Sequence, residues 1–386
     1  MASTRLGYLA VQKETTRAVP VKPTNFIRFT EGNIEHSQEL IENNPIQNTR
    51  WNSITPVQGK IETNGSFKLD ADTREMGHFL LAGLGNVATT NSGSLKLHTF
   101  TTANRLPSLT LEQLQGNSQG DDYVMSRSFG VMVDQIELSA SDGLVEMNVD
   151  MKATGMFLKS NLLNAETAGT NVSIELGSTE GILATDSVVI TNTTGVKETA
   201  TVSAVTASAI TATIASSYLA GSKVELAPQT PAYTNPQSIF SFVHAKFQFG
   251  TNLTTAASAT EENVENWTFT CMNNLEERYG SLRATPSVIA EKGAGAMLKY
   301  TKFFETRVDR DRYLDQTRQA CILTLELPGA NAHSLKFEMQ DLRFTSYKMD
   351  TGADDVYVAE MEASCFYDQT SGQAIAIKLL NDVTSY

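Results

Sequence analysis

Apolar and polar positions alternate with a period of two along much of this 386-residue chain. Val145, Met147, Val149 and Met151 alternate with Glu146, Asn148, Asp150 and Lys152, which predicts a half-buried strand with a mainly acidic outer face. Val131 and Val133 share one parity, whereas Ile136 and Leu138 lie on the other; Leu335, Phe337 and Met339 are likewise followed by Leu342 and Phe344 shifted by one. A strand whose inward face changes parity needs an extra residue, so a β-bulge is expected in both places. A helical period shows in two segments. "DADTREMGHFLLAGLG" predicts a helix capped by Asp70 or Asp72 and ending near Gly83 or Gly85, with Met76, Phe79, Leu80 and Leu84 on one face. "ETRVDRDRYLDQTR" predicts a second, with opposite charges at close spacing and with Val308 and Leu314 inward. Residues 1–24 read as an extended arm, and "NVATTNSGSLKLHTF" as a long polar loop.

The two bulged strands belong to a longer correspondence. "MKATGMFL" at Met151 is answered by "MEASCFYD" at Met361, "DQIELS" at Asp134 by "DLRFTS" at Asp341, and "LTLEQLQG" at Leu109 by "LTLELPG" at Leu323. A segment opening at Asn43-Asn44 and ending at Leu80 is answered by one opening at Asn273-Asn274 and ending at Leu314. Four anchors in one order at comparable spacing indicate an internal duplication.

Between the copies the texture changes. Residues 166–227 are rich in Thr, Ser, Ala and Val, with short β-branched runs separated by Gly, Asn and Ser clusters, as in a small all-β module. The exit "PQTPAYTNP" cannot continue a sheet interior. The expected organisation is an arm at 1–24, a first unit at 25–164, an insert with its linkers at 165–232 and a second unit at 233–386. Flexible flanks would let the insert stand apart as a separate outward module. The insert has two lysines against six acidic residues, so most of the net charge of −13 lies in the duplicated part. Such a surface repels phosphate and argues against nucleic-acid binding through a basic face.

Enzyme chemistry finds little support. Gly116-Asn117-Ser118-Gln119-Gly120 matches G-x-S-x-G, but the motif needs a buried strand before it and a helix after it, and polar residues flank it here. Among His36, His78, His98, His244 and His333 none has a His or Cys neighbour at metal-ligand spacing. Asp70-x-Asp72 and "DTGADD" lack the glycine and terminal glutamate of a calcium loop. No P-loop or dinucleotide glycine pattern occurs, and neither a cofactor nor a metal is expected. Cys271, Cys321 and Cys365 form no CxxC pair, which suits buried free thiols in a reducing compartment. The N-terminus lacks a signal-peptide pattern and no apolar run reaches membrane-spanning length, so no membrane association is expected.

Several stretches resemble one family. "LGYLAVQKETTRAVPVKP", "VQGKIETNGSFKLDADTREMGHFLLAGLG" and "HTFTTANRLPSLTLEQL" are similar to major tail tube proteins of long-tailed, non-contractile phages. "VENWTFTCMNNLEERYGSLRATPSVIAEKG" through "EMEASCFYDQTSGQAIAIKLLND" looks closer still, and the likeness covers about 1–160 and 238–386 while skipping the insert. The resemblance implies a mainly β fold. It would comprise two tandem β-sandwich or barrel units, each with a flanking helix, plus the small all-β insert. It further implies rings of three duplicated chains with pseudo-sixfold appearance, stacked into a virion tail tube that is assembled in the host cytoplasm. The implied partners are further copies of the chain and the tail terminator, tail tip and tape measure proteins. Double-stranded DNA would pass without specific binding.

On that reading an acidic lumen keeps DNA moving, with Glu146, Asp150, Glu360 and Glu362 as candidate wall residues. Leu6, Tyr8, Leu9 and Val11 are candidates for an arm that orders against a neighbouring ring. Another virion component of the same fold is a second structural possibility. A carbohydrate-binding adhesin is a third, but Trp51 and Trp267 both lie outside the insert, and sugar sites favour exposed aromatics.

Overall fold

In the computed structural model, which describes residues 6–44, 46, 48, 50–51, 55–116, 123–329, 332–350 and 357–386, both parity switches fall within the two longest strands. The first unit runs β1 (Tyr8–Lys13), β2 (Asn25–Ile27), β3 (Glu31–Ile41), β4 (Val57–Asp70), α1 (Gly77–Leu84), β5 (Gly85–Ser92) and β6 (Leu95–Thr102). It continues with β7 (Leu109–Gly116), β8 (Tyr123–Ala140), β9 (Glu146–Ala153) and β10 (Gly155–Phe157). The sheet of the insert begins before the expected boundary at 165 and holds β11 (Ser160–Asn161), β12 (Gly169–Glu175), β13 (Ser187–Thr191), β14 (Lys197–Val205), β15 (Ala209–Ile214) and β16 (Lys223–Leu226). The second unit runs β17 (Ala245–Gly250), α2 (Leu253–Ala257), β18 (Asn266–Met272), β19 (Glu276–Arg278), β20 (Val288–Ala290) and β21 (Gly295–Phe303). It ends with α3 (Val308–Leu314), β22 (Gln319–Glu326), β23 (Ser334–Asp350), β24 (Val358–Phe366) and β25 (Ile375–Asn381). The fold is mainly β.

One pairing scheme occurs twice. In the first unit β7 lies between β1 and the early part of β8, β10 flanks β8 on the other side, and late β8 passes to β9, β4 and β3. In the second, β22 lies between β17 and early β23, β25 flanks β23, and late β23 passes to β24, β21 and β18. The parity switch explains the long strands. Each leaves one sheet and enters another, so its buried side must change. In β8 the pairing with β9 shifts between Val133 and Gln135; in β23 the pairing with β22 shifts opposite Met339 and Leu342. A further irregularity at Phe344–Ser346 has no signal in the parity of the sequence.

Among the described residues two runs of strand pairing join the units. Six residues of β18 pair with late β8, from Trp267–Ala140 to Met272–Gln135, and six of β25 pair with β6. One core runs through both units, including Phe67, Phe79, Val149, Phe269, Tyr300 and Phe337.

Several expectations need correction. The N-terminal segment is no free arm: Tyr8, Leu9, Ala10 and Val11 are buried, and β1 pairs with β2 and β7. The alternation Tyr8, Ala10 against Leu9, Val11 puts one pair into each of two cores, which a short strand between two layers requires. "NVATTNSGSLKLHTF" is a hairpin rather than a loop, because His98 and Phe100 give β6 a buried face and Gly93, at φ 63°, allows the turn. The first helix starts later than expected, since the Asp72 carboxylate accepts from the Arg74 and Ser238 backbone N–H groups instead of capping it. The helix ends on Gly85 at φ 97°, and Gly83 inside it packs so close to Ile136 that a Cβ would sit 2.4 Å from the Ile136 Cδ1. In α3 Val308 and Leu314 are exposed, and Asp309 is the buried residue. Lys302 and Arg312 both pair with Asp309, so an ion cluster rather than an apolar stripe seats this helix.

The insert is not loosely tethered. Its core of Ile174, Val188, Ile190, Val202 and Ile210 is continuous with Tyr8, Phe26, Leu114, Met125 and Phe157 of the first unit. At the junction Arg127, 1% exposed, donates Nη2 to Glu112 Oε2 at 2.7 Å and Nη1 to Gly181 O at 2.9 Å, and forms an ion pair with Asp186 of the insert. Gln229, just beyond β16, donates to Glu112 at 2.7 Å, and its backbone N–H donates to the Tyr8 hydroxyl at 2.9 Å.

Candidate functional site

Late β8 has β9 on one flank and β18 on the other, so one sheet crosses both units in the order β3–β4–β9–β8–β18–β21–β24–β23. The sheets of the fold include a half-barrel. One face carries Phe67, Val149, Leu138, Phe269, Leu298 and Ala363 into the core. The other face is polar and open. Directly paired residues share a face, and Glu146, Ser139, Thr268, Lys299 and Glu362 form one such row across five strands. Asp150 pairs across to Gln135 and Glu360 to Thr301 on the same side. All four acidic candidates from the sequence therefore stand on a single surface.

Further members of this face carried weaker signals in the sequence. Glu31, Lys68, Glu137 and Asn148 line a shallow polar groove with Glu146. Thr268 and Thr270 on β18 alternate with Trp267, Phe269 and Cys271, an in–out pattern legible in "NWTFTC" but not assigned to this surface. Acidic groups outnumber basic ones: Glu31, Asp70, Glu137, Glu146, Asp150, Glu360 and Glu362 stand beside Lys68, Lys152, Lys299, Arg343 and Lys348.

The charges are partly tied down. Lys68 Nζ lies 2.9 Å from Glu146, and that hydrogen bond raises the lysine above its ordinary range. Lys299 Nζ lies 2.5 Å from Glu360 and holds its carboxyl below the ordinary range. Asp150 behaves oppositely: partial burial, and then the neighbouring Asp134, raise its carboxyl. A carboxyl raised in the folded state binds protons that the unfolded state has released, so its ionisation costs stability as pH rises through the folded value. Asp150→Asn should therefore stabilise the chain near neutral pH and lose this advantage below the ordinary carboxylate range. The gain should be under about 1 kcal/mol, since one pKa unit is about 1.4 kcal/mol and solvent screening reduces it. Urea titrations of both proteins at pH 7 and pH 3 check this; an equal gain at both would refute the charge explanation.

Among the described residues no group of three His, Cys, Asp or Glu could hold a metal ion. Ser118 and residues 351–356 lie outside the described residues. The thiols are buried or partly so, and burial pushes Cys271 up to about 12, far from a reactive thiolate. Among the described residues no helix is long and apolar enough to cross a membrane.

The arm candidates lie elsewhere. Leu6 is exposed at 49%, whereas Tyr8, Leu9 and Val11 are enclosed by their own chain and offer no apolar surface to a neighbour in this conformation.

A comparison with protein-family models matches residues 3–365 to the family described as phage tail tube protein. A search of curated proteins finds no match.

Proposed function

The match spans most of the chain, so the chain belongs to the phage tail tube proteins, and from that premise we propose that it is a duplicated tube subunit, three copies of which close into one ring. Stacked rings form the conduit of a siphophage-type tail, and the polar face of the shared sheet lines the lumen. The observation that carries this reading is the β8–β18 seam. It joins two units of the same pairing scheme through one continuous sheet, and β3 and late β23, the counterparts of β18 and late β8, end that sheet with flanks that pair with no other strand among the described residues. Open strand edges of this length favour further pairing, and repetition of one heterologous contact closes a ring when the rotation allows. Two units per chain and six per ring give three chains. The tail terminator, tail tip and tape measure proteins then meet the tube at its ends and inside it.

The acidic lumen supplies the transport property. A wall bearing Glu146, Asp150, Glu360 and Glu362 offers DNA few cations, so passing phosphates release few counterions and do not adhere. Electron microscopy of the purified chain is the direct test. End-on views should show a nearly sixfold core with three outer modules per ring; six modules would mean one unit of the core per chain and overturn the duplicated-subunit reading. Replacing the four carboxylates by lysine should leave tubes intact yet slow DNA release in low salt. Unchanged release would refute the electrostatic role of the wall.

A further inference from the structure

We propose that both open ends of the shared sheet are capped in the free chain by glutamine side chains, Gln113 over β3 and Gln316 over β23, and that β3 and β23 of two copies displace these caps when they pair. The proposal rests on the ring reading and goes beyond it, because it names the edges and what holds them before assembly.

At β3 the Ile34 backbone N–H donates to Gln113 Oε1 at 3.4 Å, and Gln113 Nε2 donates to Gly32 O at 3.4 Å. Residues 32 and 34 present their backbone groups to the same flank, the one turned away from β4. A side-chain amide has the donor and acceptor of a peptide group. Gln113 thus occupies one donor and one acceptor of the edge that an adjoining strand would use. It projects from β7, is 5% exposed, and reaches β3 from the other sheet of the same unit.

At β23 no strand among the described residues pairs with the flank opposite β24 beyond Leu342, where pairing with β22 stops. Gln316 Nε2 donates to Phe344 O at 3.2 Å on this stretch and to Tyr313 O at 2.8 Å, while Arg343 Nη1 donates to Gln316 O at 3.1 Å. Gln316 sits at φ 49° in the exposed turn between α3 and β22.

The seam already built into the chain shows what replaces such a cap. Beside the parity switch of β8, Asn273 at the end of β18 donates its backbone N–H to Asp134 O at 2.7 Å. Its Nδ2 donates to Val133 O and to Gly83 O, both at 2.9 Å. There the adjoining unit supplies the partners. At the outer ends a side chain of the same unit does so, through longer and fewer bonds. The occupant that fits is a second copy of this chain, because its β3 and late β23 are the counterparts of the two strands already paired at the seam.

The test follows assembly of the full purified chain by light scattering after transfer from dissociating conditions. Gln316→Glu keeps the size but loses the donor, and should speed ring formation about fivefold, the factor given by a net hydrogen bond of about 1 kcal/mol. Gln113→Ala should act in the same direction, with thermal melts establishing that the subunit remains folded. Unchanged or slower assembly in both variants overturns the caps. A double variant, Glu35→Cys with Lys348→Cys, tests the edges: oxidation should give a covalent species ending at the trimer. Pairs shifted by two residues along β3 cover a slip in register. Tubes without a cross-link in any pair would refute this joint and leave the tube reading standing. A native chain that forms no rings or tubes sinks both.

Discussion

Arg127→Ala should destabilise the protein by about 3–5 kcal/mol, the range for removing one partner of a buried ion pair. That is a large fraction of the roughly 5–15 kcal/mol that holds a typical domain folded. The reason is what remains. Glu112 and Asp186 are both buried, and the guanidinium bridges them across the boundary between first unit and insert. Without it Glu112 keeps only neutral donors, Tyr8 and Gln229, and Asp186 keeps only Lys22 at 3.8 Å as a counter-charge, so two carboxylates face a low-dielectric junction with too little compensation. Urea unfolding followed by circular dichroism gives the magnitude, and limited proteolysis near 227–240 reports whether the insert loosens first. The triple variant Arg127→Met, Glu112→Gln, Asp186→Asn should recover most of the loss, because removing every charge also removes the desolvation cost. A loss within about 0.5 kcal/mol for Arg127→Ala would mean that water already reaches this junction.

Removal of residues 1–20 should have a still larger effect: a chain with no cooperative melting transition, rather than a folded subunit that merely fails to polymerise. Tyr8, Leu9 and Val11 are fully buried, at roughly 1.5–3 kcal/mol each. β1 also satisfies one edge of β7 along six residues. Glu14, just beyond it, accepts from Thr110 Oγ1 at 2.9 Å and from the Gly130 N–H at 2.8 Å, so its loss leaves further buried donors without partners. Scanning calorimetry of the truncated chain decides the matter. A normal melting transition combined with absent tubes would restore the inter-ring arm suggested by the sequence.

These two cases show what the sequence could convey. Period-two alternation marks a buried face reliably, so β9 and the parity switches of β8 and β23 are legible residue by residue. The repeated phrases placed matching strands in both units. Neither kind of signal says which layer a strand joins. "YLAV" has no polar position to betray an outer face, because both of its faces are covered, and a short run of that kind reads equally well as a segment awaiting a partner. The insert was misjudged for a related reason. Its composition changes sharply at the boundary, but its attachment is made by Arg127, Glu112, Asp186 and Gln229, four polar residues scattered over more than a hundred positions. Long-range charge pairing leaves no periodicity. The acidic face is half legible: alternation marks Glu146 and Asp150 as outward and the repeated phrase points to Glu360 and Glu362, while only the cross-strand register aligns Glu146 with Glu362.

The β8–β18 seam also bears on how a ring could be counted out. A ring of six separate units needs six encounters, each losing translational freedom, and a five-unit ring or an open spiral competes at every step. With two units on one chain, half of those contacts form at the high local concentration set by the tether, and in the proposed ring only three remain to be made between molecules. Closure at an odd number of units is then excluded by parity of the building block. In that proposed ring the fusion would also break the equivalence of neighbours, so a feature carried by one unit alone, as the insert is, would recur at every second position and leave a vacant sector between adjacent modules.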